Sequence, residues 1–143
     1  MQAEGGDHHG SGYWFRGLQT LCRKHDIQLI IDEVQTGGGA TGKMWCHEHF
    51  QLEDGADIVT YSKKMLAAGI YHKKDLAPKH PARIFNTWVG EPSKLILLEA
   101  VLDTIAKENL LARVTEVGDD MISGLEDLAS KYPGVFSNVR GKV

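Results

Sequence analysis

The apolar positions of this chain fall into two regimes. From Tyr13 to Asp26, Trp14, Leu18, Leu21 and Cys22 recur at helical spacing while Arg16, Arg23 and Lys24 lie off that stripe, which predicts an amphipathic helix. Ile27 to Ile31 is instead an unbroken apolar run that stops at Asp32. Five such residues predict a strand buried on both faces, as in a parallel sheet. Ile58 to Tyr61, introduced by Asp57, predicts a second short strand, and Ala82 to Phe85 a third. The first dozen residues, rich in Gly and His and without periodicity, read as loop.

Ser93 to Tyr132 behaves differently. Leu95, Leu98, Val101, Leu102 and Ile105 form one helical stripe, with Pro92 near its start, where a missing N–H removes no bond. The pattern shifts at Lys107–Asn109 and resumes with Leu111, Val114, Val117, Met121, Leu125 and Leu128. This predicts two helices with a short break, the second stopped by Pro133-Gly134. Val135 to Val143 reads as extended. Helix followed by buried strand, repeated, indicates an α/β fold. Three short strands and three helices are few for a complete domain of that class, so the chain is expected to be part of a larger protein.

Composition narrows the picture. With 16 basic and 19 acidic residues the chain is mildly acidic, which argues against a nucleic-acid partner. No apolar run reaches the ~18 residues of a membrane span. Two cysteines, Cys22 and Cys46, make no disulfide framework and suit a reducing compartment.

Two motif matches carry little. Gly37 to Gly42, GGGATG, fits G-x-G-x-x-G, but five residues separate it from the preceding strand and no convincing helix follows. Extended to Lys43 it nearly fits a phosphate-binding loop, yet Met44 stands where a Ser or Thr hydroxyl must bind Mg²⁺. The segment reads better as a flexible loop whose backbone passes close to a neighbour. His47 and His49, two residues apart, do not share a helix face, and together with His8, His9 and Cys46 they are expected to be structural or surface residues.

The chemistry lies at strand ends. Asp32 closes the first strand, and Tyr61-Ser-Lys63-Lys64 follows the second, so a carboxylate and one lysine of the pair can share the carboxyl edge of a parallel sheet, where open α/β proteins bind ligands. That combination suits pyridoxal 5′-phosphate. A lysine amine condenses with its aldehyde, and a carboxylate keeps the ring nitrogen protonated so that the ring withdraws electrons.

Asp32-Glu-Val-Gln35, Thr60-Tyr-Ser-Lys63-Lys and Phe85-Asn-Thr87-Trp together resemble the class III (omega) aminotransferases of the fold type I pyridoxal-phosphate enzymes, and within them the branch acting on 4-aminobutyrate. The resemblance runs from Gln2-Ala-Glu4 to Val139-Arg-Gly. It implies that residues 1–108 belong to the cofactor-binding large domain, and that 109–143 form a linker helix and the start of the C-terminal small domain. It implies that Lys63 is the cofactor lysine and proton shuttle, that Asp32 pairs with the pyridine nitrogen, and that Gln35 contacts the cofactor's phenolic oxygen. It implies that Glu4 helps switch between half-reactions, and that Thr87 reaches the cofactor phosphate of the other subunit of a homodimer. The implied reaction moves the amino group of 4-aminobutyrate onto 2-oxoglutarate, with lysine, ornithine or β-alanine as alternative donors. The implied location is the mitochondrial matrix.

The family's phosphate-holding glycine turn, ring-stacking aromatic and carboxylate-binding arginines are not among these residues. The isolated chain is therefore expected to be inactive. A non-catalytic truncated product and a nucleotide-binding protein using Gly37–Lys43 are the readings from other classes.

Overall fold

A computed structural model describes residues 8–85, 87 and 90–142. Helix α1, Gly12–Lys24, starts at Ser11, whose hydroxyl accepts the Trp14 N–H at 3.1 Å, and ends with Arg23 and Lys24 against the negative end of the helix dipole. Strand β1, Ile30–Asp32, follows, then a glycine-rich loop and a 3₁₀ turn, Cys46–Phe50. Strand β2, Ile58–Tyr61, a 3₁₀ turn at Lys63–Met65, and strand β3, Gly69–His72, complete the sheet. A short 3₁₀ turn at Lys74–Leu76 leads towards helices α2, Pro92–Lys107, and α3, Leu110–Lys131.

The sheet order is β1-β2-β3. Strands β1 and β2 run parallel, pairing Ile30 with Ile58, Ile31 with Val59 and Asp32 with Thr60. Strand β3 is antiparallel to β2, so the sheet is mixed rather than wholly parallel. The third strand is not Ala82 to Phe85. That stretch follows Pro81 and carries Ala82 at φ 57°, a left-handed conformation that breaks an extended backbone. Val135 to Val143 likewise forms no strand over its described residues.

Strand β1 is not buried on both faces. Leu29 is buried, Ile31 half-buried and Glu33 only 1% exposed, whereas Ile30 and Asp32 are exposed. The inward set alternates with period two, as in a strand with one covered face. The covered face continues through Val59 and Tyr61 to Tyr71 at its margin, 51% exposed, and Trp45 packs on it with ring centroids 6.2 Å from Tyr61 and 5.7 Å from Tyr71. The face carrying Ile30, Asp32, Thr60 and Ile70 is the open one, with Ile30 58% exposed.

The stripe on α1 is also only partly inward. Cys22 is buried, but Trp14 and Leu21 are exposed, and Gln19 is buried in their place. Gln19 Nε2 donates to the carbonyls of Glu53 and Gly55, each at 2.7 Å, and its Oε1 accepts the Glu53 N–H at 3.0 Å. Three bonds explain how an amide tolerates burial. Phe15 stacks on Phe50 at 3.9 Å and joins α1 to the Cys46–Phe50 turn.

Helix α2 begins as its sequence predicts. Pro92 occupies the first turn, and the Glu91 carboxylate accepts the N–H groups of Ser93 at 3.2 Å and Lys94 at 3.0 Å. The break before α3 falls at Glu108–Asn109, where Asn109 adopts φ 50°. Helix α2 packs on α3 and on the Lys63–Met65 turn. Leu95, Ile96, Val117 and Met121 remain exposed on the two helices.

Candidate active site

Parallel pairing of β1 and β2 directs both carboxyl ends to the same edge. Asp32, the last residue of β1, lies in register with Thr60, and Lys63 follows that partner by three residues. The carboxylate and the lysine of the sequence reading therefore emerge from adjacent strands at one edge. Asp32 Oδ1 accepts the Val34 N–H at 2.9 Å, which folds the chain into a turn immediately after the strand. Beside it, Thr60 Oγ1 is a buried hydroxyl oxygen with no hydrogen-bond partner among the described residues.

Lys63 sits on a constrained turn. Ser62 is extended, and Lys63 itself has φ 52°, in the left-handed region that a side chain with a Cβ seldom adopts. Strained non-glycine residues of this kind concentrate at functional sites. The turn is pinned by Met65, 1% exposed, and closed by the Leu66 N–H to Lys63 carbonyl bond at 2.8 Å. Lys64 bridges to the other segment: its Nζ donates to the Gln35 carbonyl at 2.5 Å. Burial, with the Lys63 charge alongside, holds the Lys64 amine below its ordinary value.

The glycine-rich loop is the packing element between these segments. A Cβ on Gly38, which has φ 73°, would lie 3.3 Å from Met65 Sδ and 3.5 Å from Lys64 Cβ. A Cβ on Gly37 would lie 2.8 Å from both the Glu33 carbonyl oxygen and the Trp45 ring. Close backbone approach, rather than a phosphate cradle, accounts for glycine at both positions.

Glu33 was invisible to the motif reading. Its buried carboxylate accepts the Thr36 hydroxyl, the Cys46 N–H at 3.1 Å, the His47 N–H at 2.8 Å and the His47 ring Nδ1–H at 2.9 Å. Burial pushes this carboxyl up, but the bonds from His47, Thr36 and the two backbone N–H groups outweigh it and hold it below its ordinary value. The signal was available in the alternation Leu29, Ile31, Glu33, which aims the second acid of the pair inward. His47 is thus structural, as expected, and His49 is bonded through Nε2 to the Thr41 carbonyl at 2.9 Å. Burial, with the Glu33 carboxylate alongside, pushes the Cys46 thiol up, which suits an inert core cysteine. Among the described residues no cluster of three or more His, Cys, Asp or Glu could hold a metal.

Thr87 stands exposed in the stretch 81–90 between β3 and α2, and no hydrogen bond or ion pair joins it to Asp32 or Lys63. Glu4 lies outside the described residues. An open cleft of about 900 Å³ lies between α1 and β1, with Trp14, Phe15, Leu18, Ile30, Asp32 and Phe50 on its walls. Lys63 is not on those walls, so this cleft alone does not unite the two groups. No helix among the described residues is long and apolar enough to cross a membrane.

An acid and a lysine thus lie at one edge of a parallel strand pair, and the sequence pattern of class III aminotransferases matches residues 1–142. The chain belongs to that family. It is 51% identical over 142 residues to mitochondrial 4-aminobutyrate aminotransferase of Mus musculus, an alignment covering 99% of this chain and 28% of the mouse protein. The 4-aminobutyrate aminotransferase of Dictyostelium discoideum is 49% identical over 99% of this chain and 29% of its own length. Among solved structures, lysine aminotransferase from M. tuberculosis in the internal aldimine form superposes with a TM-score of 0.92 at 32% identity, over 99% of this chain and 34% of that one. The chain thus spans under a third of the length of the curated relatives it matches.

Proposed function

We propose that these residues form the cofactor-lysine segment of an aminotransferase that uses pyridoxal 5′-phosphate and transfers the amino group of 4-aminobutyrate to 2-oxoglutarate, yielding succinate semialdehyde and glutamate. The observation that carries the reading is the register of β1 and β2, which brings Asp32 and Lys63 to one edge of the sheet. The donor set fits the cofactor. Asp32 has one oxygen committed to the Val34 N–H, and Thr60 offers an unpartnered hydroxyl beside it. When bound, the cofactor supplies an aldehyde and an electron-withdrawing ring.

The chain's own residues do the rest. With the cofactor in place, the Lys63 amine would be the group that holds its aldehyde carbon, and the same amine would serve as the base that moves the substrate proton. Asp32 would accept the ring N–H and hold that proton in place. Gln35 would bind the phenolic oxygen. Thr87 would bind the phosphate held by the second subunit of a homodimer, and Glu4 would act in the exchange between half-reactions. Residues 1–108 are assigned to the large domain and 109–143 to the passage into the small domain. The location proposed is the mitochondrial matrix, supported by the mitochondrial designation of the mouse and human relatives.

The test is amino transfer by the full-length protein carrying these residues, with 4-aminobutyrate, lysine, ornithine and β-alanine offered separately alongside 2-oxoglutarate. Preference for 4-aminobutyrate supports the reading. Preference for another donor replaces the substrate and keeps the reaction class. No transfer from any of the four donors removes both.

A further inference from the structure

Among the described residues Glu33 is the only charged side chain that is buried, and the reaction as proposed does not use it. Its bonding is unusually complete. The side chain accepts from Thr36, from the backbone of Cys46 and His47, and from the His47 ring. The backbone is fixed as well: the N–H donates to the Thr60 carbonyl at 3.0 Å and the carbonyl accepts the Gly37 N–H at 2.8 Å. Glu33 is therefore tied to β2, to the turn that follows it and to the Cys46–Phe50 turn at once. Asp32 precedes it directly, and Gln35 is two residues on. A residue fixed through both backbone and side chain passes that constraint to its covalent neighbours.

A buried carboxylate with a histidine partner is a poor choice for stability alone, because apolar side chains of similar volume often do as well or better. Its value lies in specifying one geometry, and the geometry specified here is that of the turn bearing Asp32 and Gln35. We propose that Glu33 is a positioning residue for cofactor binding, holding the 32–36 turn against the Cys46–His47 backbone so that Asp32 and Gln35 are presented together. The inference rests on the pyridoxal-phosphate reading above.

The experiment compares the wild type, Glu33→Gln and Thr36→Val in the full-length protein. It measures pyridoxal phosphate affinity, the visible spectrum of the bound cofactor with its pH midpoint, and amide exchange of the cofactor-free protein. Glu33→Gln is expected to exchange faster over 32–37 and 45–48, to bind cofactor roughly tenfold or more weakly, the scale seen when the groups that orient metal ligands are removed, and to shift the spectral midpoint. Thr36→Val, which removes one donor and leaves the charge, is expected to do the same to a lesser degree. Faster exchange with wild-type affinity and midpoint overturns the proposal, because Glu33 is then a folding clasp only. Should Glu33→Gln fail to fold, Thr36→Val decides alone: weakened affinity with a moved midpoint supports the proposal, and wild-type values refute it. A wild type that binds no pyridoxal phosphate overturns the functional reading and the inference together, whereas normal wild-type binding with unaffected variants overturns the inference alone.

Discussion

Replacing Gly37 by Ala probes the tightest packing in the site. The added Cβ would sit 2.8 Å from the Glu33 carbonyl oxygen and 2.8 Å from the Trp45 ring, about 0.6 Å inside ordinary contact on both sides. Neither neighbour is a free side-chain end. The Glu33 carbonyl accepts the Gly37 N–H at 2.8 Å and belongs to a residue bonded on all sides, and Trp45 is packed on Tyr61 and Tyr71. Relief requires the 33–37 turn and the Trp45 segment to separate, which costs about 1–3 kcal/mol for overpacking of one carbon. Thermal unfolding should fall by roughly 3–10 °C for a chain of this size. Gly55→Ala isolates the other cost, backbone strain at φ 68°, since a Cβ there meets nothing within 4 Å. Gly17→Ala, in α1 with open space around it, should be neutral or stabilising. A Gly37→Ala variant as stable as Gly17→Ala would show that the loop does not make the approach on which the account of the site depends.

Acid should weaken the fold through Glu33 and Asp57. Glu33 is held below its ordinary value despite burial, and Asp57 is lowered by its bond from Lys73 and the Leu29 N–H. Depressed carboxyls stabilise above their unfolded value of about 4 and lose that contribution as pH falls through the folded value. Denaturant midpoints measured down the acid range should therefore drop, and less steeply in Glu33→Gln; parallel profiles would contradict the assignment. Gln19→Ala removes three bonds and takes the partner from the Gly55 carbonyl and the Glu53 N–H, while Arg23 still donates to the Glu53 carbonyl, for an expected loss of roughly 2–4 kcal/mol by urea unfolding. A loss under about 0.5 kcal/mol, the range of ordinary surface substitutions, would show the bridge to be incidental. In the full-length protein Asp32→Asn should retain part of the cofactor affinity and cut amino transfer sharply. Full activity there would remove Asp32 from the mechanism.

The helices and the second strand were legible because their signals are local. Ile58–Tyr61 is a β-branched run with an acid before it, and the break between α2 and α3 sits where the apolar stripe changes register at Lys107–Asn109. Strand β3 was not legible: Gly69-Ile-Tyr-His is short, opens on a glycine and is mostly exposed, and its extended form comes from pairing with β2. Ala82 to Phe85 has the better composition and no partner. The edge uniting Asp32 and Lys63 could be read because strand ends are visible in a sequence. The alternation Leu29, Ile31, Glu33 shows that Glu33 faces inward but not what it meets: apart from Thr36 its donors come from residues 13 and 14 positions further on, and only the folded loop brings them together.

The most direct measurement is borohydride trapping. Pyridoxal phosphate is added to the full-length protein carrying these residues, the product is reduced and digested, and the labelled lysine is located by mass spectrometry. The account predicts label on Lys63, with Lys64 unlabelled because its amine is engaged by the Gln35 carbonyl. Label on Lys64, or spread over Lys73, Lys94 and other surface lysines, would contradict it.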